Sequence, residues 1–473
     1  MNNKRSDLFG ELDLFKRMVE NVPAYGKFLR AQKFNYHRVK NISDLKNVPT
    51  TDKKNYIDKF DLKELAWNGC LSDSDYIVNS SGSTGKPYFW PRSEASDKDS
   101  AKMYEIIFKE VFSVGEKPIL FINSFGQGSW IAGNEAFLST MNLSKKGMPI
   151  TAINSGIEQS LIIDQLIRLA PFFTNVVFAG YPPFIKETFE LLNQRNKNIL
   201  KKHSVYAVVG GESVSERWRE NTKNTLKYAK KVEVVSIYGM SDGGGILAFE
   251  TPVTKYIRKQ IFKSKDSLRI FGGRHNTALF QYDPMTRHFT TGEQGQLLIH
   301  VKNGLPLFNY DTKDSGGIVQ FSEGISQFYD NSSQKTGLKK FEKYPFVYLL
   351  GRSDYAVTFY GLNIYPEHIR AAIDELTDKD ITGRFVLEKR ENKDAQPELI
   401  VNFELAENRK AASLVNKKRF IAEHIFQTLP KYNSEYAKLV RSINKRAMPK
   451  IKFKKFGEIG YKAGKKHKWV KKD

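Results

Sequence analysis

Eight consecutive residues, Ser80-Ser81-Gly82-Ser83-Thr84-Gly85-Lys86-Pro87, bring four hydroxyls, two glycines and one ammonium into one short stretch. Free backbone N–H groups, hydroxyl donors and a cation are the groups that hold a polyphosphate. Gly82 and Gly85 let backbone approach a ligand closely and tolerate positive φ. The common P-loop is excluded, because it needs glycine six residues before the lysine and Ser or Thr after it, and those positions hold Ser80 and Pro87. A polar surface turn has the same composition. The loop alone therefore leaves both readings open, and the residues further along the chain must decide.

Those residues are Gly210-Gly211-Glu212, Tyr238-Gly239-Met240-Ser241-Asp242, Asn309-Tyr310-Asp311-Thr312-Lys313-Asp314 and Gly351-Arg352-Ser353-Asp354. Alternating segments place the first two at strand ends. Tyr76–Val78, Pro118–Ile122, Asn175–Ala179, Val205–Val209 and Val232–Ile237 read as strands. Ser93–Phe112 and Glu158–Phe172 read as amphipathic helices, and Pro182 and a Ser213–Glu216 capping box open two more. Valine-rich strands alternating with helices predict a large doubly wound α/β domain with a parallel sheet. Ligands bind such sheets at the carboxyl ends of the strands, where the glycine-rich turns fall. Near the N-terminus, Asp7–Val22 carries Leu8, Leu12, Phe15 and Met18 at helical spacing, and Lys46–Lys53 reads as a turn before another helix. After about residue 250 the pattern becomes short and strand-like. From Arg352 on, a smaller α+β unit follows, so the expected division is 1–351 and 352–473.

Composition bounds the class. A chain of 473 residues is too long for one core. One cysteine, Cys70, excludes an internal disulfide and a cysteine-built metal site. The eight histidines are scattered without ligand spacing and read as structural. No apolar run reaches membrane-spanning length and the N-terminus lacks a signal-peptide core, so the expectation is a cytoplasmic protein. The net charge of +23 raises nucleic-acid binding as a class. No paired RNP-type aromatics or GxxG signature supports that class, and residues 450–473, with ten lysines, read as a solvated tail.

In this order the motifs resemble the adenylate-forming enzymes, in the phenylacetate–CoA ligase branch, from about Tyr76 to the C-terminus. The resemblance implies ATP-dependent activation of a small carboxylic acid to an acyl adenylate, with release of pyrophosphate. Acyl transfer to a thiol, CoA or an acidic phosphopantetheinyl carrier protein, would follow; an amide- or ester-forming second step is the alternative. It implies that Ser80, Ser81, Gly82, Ser83, Thr84, Gly85 and Lys86 embrace the β- and γ-phosphates, with Thr84 and Lys86 assisting adenylation. Gly211 and Glu212 would lie along the adenine, and Tyr238 would pack on it, within a motif completed by Gly239, Met240 and Ser241. Asp242 would serve Mg²⁺. It is one methylene shorter than the family's usual glutamate, which puts direct contact in doubt, and Gly243-Gly244-Gly245 offers room for a compensating shift. Asp314 would hold the ribose hydroxyls. Asn309 replaces the family's arginine and receives no role. Arg352 would contact phosphate or ribose at the hinge of a mobile C-terminal lid, and Lys465, after Gly464, would be the catalytic lysine that the lid delivers.

Overall fold

The structure, a computed structural model, describes residues 8–79, 88–196, 198–212, 214–263, 277–320, 339–352, 357–360, 362–376, 379–391, 397–459 and 470. Its centre is an eleven-stranded sheet ordered β10-β11-β12-β13-β9-β8-β7-β6-β5-β3-β4. The parallel part is β3 (Ile119–Ser124), β4 (Ile150–Asn154), β5 (Asn175–Gly180), β6 (Ser204–Gly210) and β7 (Lys231–Met240). Between them run α5 (Ile131–Lys145), α6 (Gln159–Leu169), α7 (Pro182–Arg195) and α8 (Glu216–Thr225), with α4 (Glu94–Ile106) before and α9 (Pro252–Lys263) after. Alternation along β3 shows why both faces are covered. Ile119 and Phe121 join Met103 of α4 and Leu143 of α5, while Leu120 and Ile122 join Leu166 of α6 and Phe189 of α7. This is the doubly wound arrangement expected from the alternating pattern.

The short strands after residue 250 do not make a sheet of their own. β8 (Gly245–Phe249), β9 (Ala278–Gln281), β10 (His288–Thr291), β11 (Gln296–Val301), β12 (Leu307–Val319) and β13 (Phe346–Arg352) extend the same sheet antiparallel from β7. The sheet is therefore mixed rather than wholly parallel. A separate hairpin of β1 (Tyr76–Asn79) and β2 (Phe89–Arg92) pairs Asn79 with Phe89 across the glycine-hydroxyl stretch.

Three local expectations are corrected. The first helix, α1 (Glu11–Asn21), starts after Gly10 in a left-handed conformation; it buries Leu14, Phe15 and Met18 and leaves Leu8 outside. The chain after Lys53 forms only two 3₁₀ turns, Ile57–Lys59 and Trp67–Gly69, and between them a single helical turn, α3 (Leu62–Leu65), beyond α2 (Pro23–Ala31). Just before it, the Thr51 N–H and carbonyl are spent on Asn309 and Asp311 at β12. The cap of α8 is Ser215, whose hydroxyl accepts from the Trp218 N–H at 3.0 Å; Ser213 lies outside the described residues.

Beyond β13, the hairpin β14 (Val357–Phe359) and β15 (Leu362–Ile364) precedes a three-stranded sheet of β16 (Ile381–Glu391), β17 (Pro397–Leu405) and β18 (Lys450–Lys454). α10 (Pro366–Asp374), α11 (Val415–Tyr432) and α12 (Ser434–Ile443) pack on it. Their shared core, including Phe359, Ile369, Phe385, Phe403 and Ile425, draws on residues 357–470 alone. This smaller α+β unit touches the large one through Ser215 Oγ, which donates to Asp374 Oδ2 at 2.5 Å, and through Arg384, whose guanidinium donates to Glu187 at 2.7 Å. Among the described residues no helix is long and apolar enough to cross a membrane.

Candidate functional site

A cavity of about 150 Å³ opens at the carboxyl ends of β3, β6 and β7. Ser124, Gly210 and Met240, each at or near its strand's last residue, line it together with Trp130 and Ile131 at the start of α5. Its walls are largely apolar, with Phe125, Trp130, Ile131, Phe184, Ile237 and Ile246 among them. Asn123 at the end of β3 ties this corner together: its amide donates to the Gly133 carbonyl at 2.8 Å and to Asn154 at 2.7 Å.

On the β6 side, Gly211 lines the cavity and Glu212 follows it. Tyr181 Oη donates to Glu212 Oε2 at 2.7 Å. Burial raises the Glu212 carboxyl above its usual range, opposed by Arg370 of α10 and by that same hydrogen bond.

On the β7 side two buried aspartates face two tyrosines. Asp314 Oδ2 accepts from Tyr238 Oη at 2.6 Å, and Asp242 Oδ2 accepts from Tyr310 Oη at 2.6 Å. Lys53 Nζ lies 2.9 Å from the same Asp242 oxygen and over the Tyr88 ring. These pairs cross between motifs: β7 is bonded to β12, and the turn after β7 to the same strand. The Tyr238 ring packs near Phe280 and Phe289 and does not line the cavity, whereas Gly239, Met240 and Ser241 do. Asn309 is structural, since its side-chain amide donates to the Val48 carbonyl at 3.0 Å and its carbonyl receives the Thr51 N–H.

Asp242 is the residue to test for a metal. Among the described residues no group of three or more His, Cys, Asp and Glu could hold a metal ion. Asp242 Oδ1 accepts from no described donor, while Oδ2 is shared by Tyr310 and Lys53. One free carboxylate oxygen fits Mg²⁺ carried mainly by phosphate oxygens and water, which takes one or two protein carboxylates.

Behind the β7–β8 turn lies a buried ionic layer that the motifs did not disclose. Arg92, wholly buried, donates to the Gly244 carbonyl at 2.6 Å and to Asp97 at 3.1 Å. Glu135 of α5, 4% exposed, accepts from Ser100 Oγ at 2.6 Å and from the Ile246 N–H at 2.8 Å, both at Oε1. The glycines here serve close approach. A Cβ on Gly244 would meet Asn303 Nδ2 at 1.9 Å, and one on Gly245 would meet Glu135 Oε1 at 2.0 Å; both have positive φ, 79° and 102°. Side chains at these positions would drive Arg92, Asn303 and Glu135 away from the turn that carries Asp242.

The structure thus brings Gly211, Glu212, Gly239, Met240 and Ser241 to the cavity or its rim, with Tyr238, Asp242 and Asp314 joined beside it. The backbone of Arg352 ends β13 directly opposite Asp314 in register. Ser80, Ser81, Gly82, Ser83, Thr84, Gly85 and Lys86, and Lys465, lie outside the described residues. Sequence reasoning missed Lys53, Arg92, Glu135 and the bonding role of Tyr310. Only Tyr310, inside a recognised motif, carried a signal that could have been followed.

No family model matches the chain. A phenylacetate-coenzyme A ligase of Thermus thermophilus is 22% identical over 366 residues, 76% of this chain and 73% of that protein. Among solved structures, a 2-hydroxyisobutyryl-CoA ligase in the postadenylation state, in complex with R3-HIB-AMP, superposes with a TM-score of 0.69 at 14% identity, over 98% of this chain and 89% of its own. The same ligase with 2-HIB-AMP and CoA in the thioesterification state gives 0.55 at 13% identity, over 100% and 90%. The structural likeness establishes a shared fold across both units.

Proposed function

We propose that this chain, which has the fold of the adenylate-forming ligases and is related to phenylacetate–CoA ligase-like enzymes, activates a small carboxylic acid with ATP and passes the acyl group to a thiol. The observation that carries the reading is convergence. The glycine segment after β6 and Gly239, Met240 and Ser241 line one cavity at the carboxyl edge of the sheet, and the two aspartates of separate motifs attach through Tyr238 and Tyr310 to the strand and turn that carry those residues, with the backbone of Arg352 opposite Asp314.

In this reading Asp314 accepts the ribose hydroxyls, because a carboxylate suits two vicinal donors. Gly211 and Glu212 border the base. Asp242 presents its free oxygen to Mg²⁺, which, when bound with the nucleotide, offsets phosphate charge. Ser80–Lys86 hold the leaving pyrophosphate, where preorganised donors act most strongly. Lys465 sits beside the attacking carboxylate and the α-phosphate, offsetting charge as they meet. Arg352 marks the hinge between units 1–351 and 352–473. The apolar walls suit an aromatic or other apolar acid; a cavity of this size takes a benzene-sized group. CoA and an acidic carrier protein are the thiol acceptors that a basic chain favours.

Carboxylate-dependent ATP–pyrophosphate exchange, screened over a panel of acids, tests the reading. Exchange that requires both Mg²⁺ and a particular acid is expected. Its absence with every acid overturns the assignment.

A further inference from the structure

We propose that Glu135 selects the acyl substrate, and that the acid accepted carries a hydrogen-bond donor, a hydroxyl or amino group, at the end remote from its carboxyl group. The proposal rests on the adenylation reading of the cavity and narrows its substrate class.

Among the described residues that line the cavity Glu135 is the one charged group, the other polar ones including Asn79, Ser124, Tyr181 and Ser241. Its Oε1 is saturated by Ser100 and the Ile246 N–H. Its Oε2 accepts from no described donor, yet it is not sealed within the protein. That leaves Oε2 on the cavity side. The two bonds at Oε1 are ones a glutamine amide oxygen would make equally well. A carboxylate in an apolar wall is costly unless its second oxygen is also used, so the anchoring role alone does not account for the charge.

The placement suits recognition of a remote group. Gly210 ends β6 and Ile246 lies in β8, with β7 between them. Two strand spacings, about 10 Å, therefore separate the glycine segment assigned to the nucleotide from the strand that Glu135 grips. An aromatic ring with a short acid arm spans that distance. Burial pushes the Glu135 carboxyl up, and Arg92, the Ser100 and Ile246 N–H bonds and Arg287 oppose it in favour of the ionised form. As a carboxylate, Oε2 accepts only, so the group it recognises must donate. A substrate ending in plain hydrocarbon would cover Oε2 without a partner. Sites built for a substrate hydroxyl reject the analogue that lacks it.

The experiment compares matched acids in pyrophosphate exchange: phenylacetate, 4-hydroxyphenylacetate, 4-aminophenylacetate and 4-methoxyphenylacetate, with hexanoate and 6-hydroxyhexanoate as an aliphatic pair. The wild-type chain should favour the donor-bearing member of a pair by at least about tenfold in kcat/KM. Glu135→Gln keeps the Oε1 bonds and turns a donor toward the cavity, so the preference should vanish or shift toward 4-methoxyphenylacetate. KM for ATP should stay within about twofold, a readout that a general folding defect would move. Exchange without donor preference in the wild type overturns this proposal alone, whatever the variant does. A wild-type preference that survives intact in a folded Glu135→Gln chain also overturns it. Failure of every acid overturns the adenylation reading, and this proposal with it.

Discussion

At the scale of single residues, Asp242 and Lys53 make opposite predictions. The ammonium of Lys53 and the hydroxyl of Tyr310 share one oxygen of Asp242, so Lys53 already supplies positive charge to the carboxylate whose other oxygen is proposed for Mg²⁺. Replacing Lys53 with Met should lower the Mg²⁺ concentration needed for half-maximal exchange a few-fold, because a competing cation is gone. Replacing Asp242 with Asn should raise that concentration, with KM for ATP changing less. A Mg²⁺ titration of both variants checks the pair, and equal shifts in the same direction would rule out a metal role for Asp242. Asp314 is different, since its bond to Tyr238 and its register with Arg352 fix it beside the end of β13. Asp314→Ala should raise KM for ATP by roughly 10- to 100-fold, the effect of losing hydrogen bonds to a charged group.

At the scale of elements, β7 is held from behind by charges that never reach the cavity. Glu250, fully buried, accepts from Arg219 at 2.7 Å and from Arg258 at 2.5 Å, and its Oε2 receives the Ser236 N–H of β7 at 2.7 Å. Removing it leaves two buried guanidinium groups to share one carboxylate, Glu216, which lies 3.3 Å from each. Glu250→Ala should destabilise the large unit by about 3–5 kcal/mol, read as a fall in the denaturant midpoint; a loss below about 1 kcal/mol would mean the arginines find other partners. Such clusters explain what the sequence concealed. The strands β3, β5, β6 and β7 were legible because runs such as Val205–Val209 are apolar on both faces and end in glycine turns. Placing β8 to β13 in the same sheet was not legible, because antiparallel additions leave no periodic mark of where they join. Asp242 and Asp314 were visible through motif order. Arg92 and Glu135 were not, since their partners include residues 35, 111 and 152 positions away that no local pattern discloses. The triple glycine was legible as a turn, but its reason, the approach of Glu135 and Asn303, belongs to packing.

At the scale of the whole molecule, the Ser215–Asp374 and Glu187–Arg384 pairs join the smaller unit to the larger among the described residues, and two carboxyl groups there respond to pH. Asp374, bonded to Ser215, and Glu212 are both raised above their usual range, in each case chiefly by burial. The docked arrangement therefore holds protons more tightly than a separated one. Between the ordinary carboxylate range, near pH 4, and the raised values, acidification should favour docking, and docking should weaken as pH rises through them. Scattering-derived compactness against pH would show this, and Asp374→Asn should flatten the curve. If Lys465 is the cation proposed for the first half-reaction, Lys465→Ala should depress acyl-adenylate formation at least about a hundredfold, the scale of one lost transition-state charge contact. Thiol transfer from preformed adenylate should remain; loss of both half-reactions alike would remove Lys465 from the first.

The position of β13 has a consequence for how the chain is made. β13 is the last strand of the large sheet to leave the ribosome, yet it lies between β9 and β12. Until Phe346–Arg352 has emerged, β10 to β12 have no partner joining them to the strands that precede them, and β9 presents an open edge. Unpaired edges template wrong pairings. A nascent chain stalled before Phe346 should therefore depend on chaperones and stay protease-sensitive, and release some tens of residues later should close the sheet in one step.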